Sequence, residues 1–188
     1  MAPKPKSKGR HGSSARPGMP RSAEEPPSFS GPSVLGRVKG HGAPRAALRG
    51  LLQDYLKGLG LPRADVALRL VGEGASRGLN RRWRGLDAST DVLSFPGLEG
   101  RPPRGFDGHL GDLALCLPYA WARRGRFNPD FGAECAFLIL HGLLHLCGRH
   151  HDSPAQERAM WRLSRRLHPL GKGRFEALRS LGPEGASV

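Results

Sequence analysis

Cys135-Ala136-Phe137-Leu138-Ile139-Leu140-His141-Gly142-Leu143-Leu144-His145-Leu146-Cys147-Gly148-Arg149-His150-His151-Asp152 is the stretch whose reading decides the fold. Residues 135–140 are apolar throughout, as in a helix buried on all sides. His141 and His145 are four positions apart, so a helix stacks both imidazoles on one face, one turn above the other. Gly148 is the helix stop, because glycine takes the left-handed cap conformation cheaply. The chain then turns and brings His150 and His151 back towards the helix end. A helical His pair with a third His just past the helix is the donor set of a three-His zinc centre. Three protein ligands leave one coordination position open, which makes such a centre catalytic and not structural. A single His on an apolar helix is ordinarily a core residue. Two on one stripe with a third nearby are hard to explain that way, since each neutral imidazole buries an N–H and a lone pair at a cost unless both find partners.

Working outward, Asn128-Pro129-Asp130 breaks the chain ahead of the His-bearing helix. Ser153-Pro154-Ala155-Gln156 has the form of the next helix start, with Ser153 as cap and Pro154 in the first turn. That helix runs to about Leu167 and carries Arg158, Arg162, Arg165 and Arg166. Upstream, Ala47, Leu48, Leu51, Leu52, Tyr55, Leu56 and Leu59 follow helical period over 44–59. Val66, Leu68 and Leu70 alternate with Asp65, Ala67 and Arg69 as in a strand. A short helix over 74–84 bears Arg77, Arg81, Arg82 and Arg84. Strands follow at Asp91–Phe95 and Leu110–Leu117, separated by a Gly- and Pro-rich loop over 97–108. A short helix is expected from Tyr119 to Arg126. The interleaving predicts an α/β (α+β) layer structure, a small mixed sheet packed with helices.

The 188 residues suit one domain with a sizeable core. Residues 1–30 contain no Leu, Ile or Val, and half of them are Pro, Gly or Ser; the reading over 1–35 is a disordered basic tail. The domain proper is expected over 36–170, with a flexible C-terminal tail over 171–188. A net charge of +14 points to a polyanionic partner, nucleic acid first. No run is apolar and long enough for a membrane span or a secretory signal, so a cytoplasmic location is expected, without a membrane partner. Cys116, Cys135 and Cys147 form no CxxC pair and lie in apolar segments, as reduced core thiols do. Cys147, two residues from His145, sits on another helix face and is a poor ligand.

Open zinc lowers the pKa of a bound water to about 7 and polarises a phosphoryl oxygen, which suits phosphodiester hydrolysis. Metalloproteases of the His-Glu-x-x-His type place a general base beside the first His. Gly142 stands there instead, which weakens the metallopeptidase reading.

His-Gly-Leu-Leu-His-Leu-Cys-Gly-Arg-His-His over 141–151 resembles the His-Gly-x-Leu-His-Leu-x-Gly-Tyr-Asp-His signature of the YbeY family. Leu79-Asn80-Arg81-Arg82-Trp83-Arg84, Thr90-Asp91-Val92-Leu93-Ser94-Phe95-Pro96 and Leu110-Gly111-Asp112-Leu113 are similar to further family stretches, in the family's order. Arg149 and His150 stand where the family usually has Tyr and Asp, which makes His150 a rival third ligand. The resemblance implies a central metal-binding helix, here over 131–147, packed on a small sheet among other helices, with one zinc ion on His141, His145 and His151. It implies Arg84 as the group that stabilises charge on the phosphate, and no small-molecule organic cofactor. It also implies a single-strand-specific endoribonuclease of late small-subunit (16S) ribosomal RNA maturation and ribosome quality control, with ribosomal RNA and the small ribosomal subunit as partners. The contrasting expectation is an RNA-binding assembly factor with a structural metal, which a fourth protein ligand would favour. Asp91 and Asp112 are expected as supporting or capping residues, and Asn80 as a helix residue that satisfies backbone.

Overall fold

The computed structural model describes residues 31–125 and 128–183; most of the expected basic tail lies outside them. Four strands form one mixed sheet in the order β1-β2-β4-β3, with β1 Ser33–Leu35, β2 Asp65–Val71, β3 Val92–Pro96 and β4 His109–Cys116. β1, β2 and β4 run parallel, and β3 pairs antiparallel to β4 with Ser94 opposite Leu113. The helices are α1 Arg45–Gly58, α2 Glu73–Arg84, α3 Leu117–Ala122, α4 Phe131–Leu146, α5 Pro154–Leu167 and the single turn α6 Phe175–Leu178. The α/β class with a small mixed sheet is therefore as the sequence implies.

The alternation of β2 sends Val66, Leu68 and Leu70 into the main core, where they meet Leu48, Leu51 and Leu52 of α1 and the apolar residues of α4. Trp83 and Leu79 of α2 cover the opposite face of the sheet, against Leu93, Phe95, Ala114 and Cys116. Asn80 is buried on this side and donates from its amide to Ala88 O at 2.8 Å, which closes the turn after α2.

α4 is the axis of the fold. Every residue from Phe131 to Leu140 is buried, which accounts for its lack of a polar face. Asp130 caps it by accepting from Ala133 N–H at 2.9 Å. Ile139, Leu140, Leu143, Leu144 and Leu146 are fully buried, and each such side chain contributes about 1.5–3 kcal/mol by leaving water. Gly142 is where α4 touches the sheet: a Cβ there would meet Leu113 Cδ2 at 2.8 Å and Ser94 Oγ at 3.2 Å. Position 142 thus faces β3 and β4, so its lack of a carboxylate has a packing reason.

Two expected boundaries are corrected. The end of the presumed N-terminal tail forms β1: Val34 is buried, and Ser33–Leu35 pairs with β2. Three residues are too few to show a strand period. The segment 171–183, expected as part of a flexible tail, is packed. Its 3-10 turns, His168–Arg174 and Arg179–Leu181, flank α6, and Leu178 and Leu181 are fully buried. Arg174 Nε donates to Asp54 at 3.0 Å, and Arg179 pairs with the capping carboxylate of Asp130. Apolar side chains at every third position among Gly and Arg suffice to anchor this strap across α1 and α4.

Candidate metal centre

The end of α4 sets the geometry. Gly148 N–H donates to His145 O and Arg149 N–H to Leu144 O, each at 3.0 Å, the paired bonds of a Schellman cap. Gly148 has φ +66°, and a Cβ there would also strike Gly100 O at 2.5 Å, so both backbone conformation and close approach call for glycine. Ser153 then caps α5 by accepting from Gln156 N–H at 3.3 Å. His151 lies in the turn between these two caps.

His141 Nε2 and His145 Nε2 are 3.2 Å apart. Two nitrogens on one tetrahedral zinc, with bonds of roughly 2.0–2.1 Å, are separated by about 3.3 Å. One ligand atom from each of His141, His145 and His151 falls within 4.8 Å of the other two. The donor set therefore fits a divalent metal, and these three residues can hold one. His150 is exposed, and its ring centroid is 5.8 Å from that of His145, but it does not join the convergent group. Among the described residues the group has no fourth His, Cys, Asp or Glu.

Both helix-borne imidazoles are held in the form that binds metal. Burial pushes the pKa of His145 down to about 4, helped by the neighbouring imidazoles and by the charge of Arg84. Burial and His151 likewise lower His141, against an opposing pull from the Asp91 carboxylate. Neutral imidazole offers a lone pair, so no proton has to be displaced at neutral pH.

Arg84 ends α2, is exposed, and lies within electrostatic reach of His145. Of the other arginines of this helix, Arg77 Nε donates to Asp87 at 2.8 Å, Arg81 approaches the same carboxylate at 4.0 Å, and the Arg82 guanidinium lies over the Trp83 ring, 5.5 Å from its centroid. Asp91 stands beside His141 in the wall of a cleft, and its Oδ1 accepts from Val92 N–H at 2.7 Å. Asp112 is elsewhere. Its neighbours Gly111 and Leu113 face α4, and its carboxylate is 3.2 Å from His109 Nε2 on the opposite face of the sheet. Cys147 is buried, and burial pushes its thiol up to about 11, in keeping with a core role. Phe137, Glu157 and Trp161, which line the cleft with Asp91 and His141, were not singled out by motif. Phe137 was findable, one turn before His141 on the same helical stripe.

Comparison with known proteins agrees with this geometry. The family model for Endoribonuclease YbeY matches residues 43–169, which include all three histidines. An Endoribonuclease YbeY of Anaeromyxobacter sp. (strain Fw109-5) is 41% identical over 140 residues, covering 74% of this chain and 71% of that protein. One from Pelotomaculum thermopropionicum is 38% identical over 138 residues, covering 70% of this chain and 91% of that protein. The fold is similar to the solution structure of a Thermotoga maritima protein, with TM-score 0.56 and 24% identity over 84% of this chain and 99% of that one. A sequence match running through β2, β3, β4, α4 and the His-bearing turn, at this identity and coverage, means that the chain belongs to the Endoribonuclease YbeY family.

Proposed function

We propose that this protein is a zinc-dependent, single-strand-specific endoribonuclease that acts in the cytoplasm, in late maturation of small-subunit (16S) ribosomal RNA and in ribosome quality control. The observation that carries the reading is the convergence of His141, His145 and His151 on one point with no fourth donor among the described residues. Membership of a family named for endoribonuclease activity supports RNA as substrate. The +14 charge supports a polyanion. Gly142, packed on the sheet where a peptidase of the His-Glu-x-x-His type carries its base, disfavours peptide hydrolysis.

A divalent ion at this centre would supply Lewis acidity and bring the pKa of a water ligand towards neutrality. The chain's own residues do the rest. His141 and His145 present neutral lone pairs from a rigid helix. Arg84 offers a planar guanidinium that can take a phosphate in bidentate fashion and offset the negative charge that grows on it. Asp91, its Oδ1 held by Val92 N–H, places a carboxylate beside His141 and favours a partner that brings N–H or O–H donors.

The test uses the purified full chain and single-stranded RNA. Cleavage is expected to stop with chelator and to return on adding zinc. Arg84→Ala should keep metal and fold and slow cleavage by about 10²-fold or more, the usual cost of losing one charge-stabilising group. Cleavage by folded, metal-free protein would overturn the reading.

A further inference from the structure

The cleft between α4 and α5 has a lining that the three imidazoles alone do not explain. It encloses about 300 Å³, with His141 and His151 forming one wall. This is the lower end of the size range of small-molecule sites, room for one heterocycle and not for a folded element. Phe137 is part of its lining and is buried. Trp161 of α5 stacks on Phe137, ring centroids 5.5 Å apart and planes 26° from parallel, yet keeps 42% of its surface exposed. Asp91 and Glu157 place two carboxylates in the same lining.

These features choose among the parts of a nucleic acid. Two carboxylates repel phosphate, so the backbone stays out. The exposed Arg158, Arg162, Arg165 and Arg166 of α5 lie outside the lining and offer the phosphates their charge. An aromatic platform beside hydrogen-bond acceptors suits a flat, unpaired base that brings N–H donors. We infer that this cleft is a base-recognition subsite that takes one unpaired nucleobase, guanine by preference, from the strand engaged at the His centre. Trp161 supplies the stacking face. Glu157, exposed in the first turn of α5, supplies the acceptor, because Asp91 Oδ1 already serves Val92 N–H and the Thr90 hydroxyl. Guanine alone presents two adjacent donors, N1–H and the N2 amino group, that match one carboxylate in a charge-assisted pair. Uracil presents a single N–H between two carbonyl oxygens that the carboxylate repels. The inference deepens the endoribonuclease reading and rests on it for the identity of the strand.

The probes are guanosine, cytidine and uridine 5′-monophosphates and ribose 5-phosphate, which contain no internucleotide linkage to cut. Each is titrated into the zinc-supplemented full chain and followed by calorimetry and tryptophan fluorescence. Guanosine monophosphate should bind most tightly and quench, and ribose 5-phosphate should do neither. Trp161→Ala should weaken guanosine monophosphate by about 5-fold to 100-fold, the range for one stacked base, and Trp161→Phe should retain most of the affinity. Glu157→Gln should level guanosine against uridine monophosphate. Equal binding of ribose 5-phosphate and guanosine monophosphate would overturn the subsite. So would unchanged affinity in both Trp161 variants. A chain that binds guanosine monophosphate through Trp161 but cuts no RNA sinks the endoribonuclease reading and keeps the subsite. RNA cleavage with no base preference and no change of KM in Trp161→Phe or Trp161→Ala does the reverse.

Discussion

His141 and His145 stand on a helix buried for ten consecutive residues from Phe131, whereas His151 stands exposed in the turn beyond it. The pair is pre-organised: its Nε2 atoms are already 3.2 Å apart, and the packing that holds α4 sets that distance. The third imidazole is placed by the four residues, 149–152, between two caps, Gly148 on α4 and Ser153 on α5. Helix packing thus supplies the rigid half of the centre, and backbone hydrogen bonding supplies the adjustable half. A rigid pair limits the entropy lost on binding a metal. A looser third imidazole would let a coordination sphere tighten from a spread of up to 4.8 Å.

The comparison can be broken by removing one member of each half. Structural zinc in zinc-finger peptides is worth about 10–16 kcal/mol, and on that scale losing one of three histidines here should cost on the order of 10³-fold in affinity. His145→Ala is expected to lose metal by metal analysis and to abolish RNA cleavage. His151→Ala should lose metal as well, while His150→Ala keeps it. Retention of metal by His151→Ala together with its loss from His150→Ala would move the third ligand to His150.

Stability separates the halves further. Leu144→Ala empties a fully buried position on α4 and should cost about 2–5 kcal/mol in denaturant unfolding. His151→Ala in chelated protein should stay within about 0.5 kcal/mol of the parent, as for other exposed positions. Equal losses would mean that the turn carries as much of the fold as the helix does.

The smallest effect lies on α2. Arg77 holds the Asp87 carboxyl below its usual value by a direct hydrogen bond on an exposed surface. A carboxyl with a depressed folded-state pKa stabilises above its unfolded value of 3.8, and the contribution fades as pH falls through the lower folded value. Asp87→Asn should therefore lower the melting temperature slightly at neutral pH, more at low salt than at high salt, and leave it unchanged under strongly acid conditions. An undiminished effect in acid would remove the ion pair as its cause.

Much of this architecture was legible in the residues. A wholly apolar run can only be a buried element, and a four-residue His spacing on a helix can only put both rings on one face. Hence α4 and the His141–His145 pair follow from periodicity alone. The alternation in β2 and the cap at Ser153 were local in the same sense. The choice between His150 and His151 was not local. The residues themselves allowed either, and family spacing favoured His151. Which ring turns towards the helix pair depends on the Schellman bonds at Gly148 and on the approach of Gly100, contacts between segments distant in sequence. The strap over 171–183 was hidden for a related reason: its few apolar residues stabilise it only because α1 and α4 offer a surface to receive them. Trp161 gained its place beside Phe137 only through the packing of α5 on α4. Sequence by itself determined the elements and the helix-borne pair of imidazoles, because hydrophobic period and side-chain direction act within one element. Tertiary structure decided which third imidazole converges on that pair, the cleft and the strap, because each depends on distances between elements that no local pattern encodes.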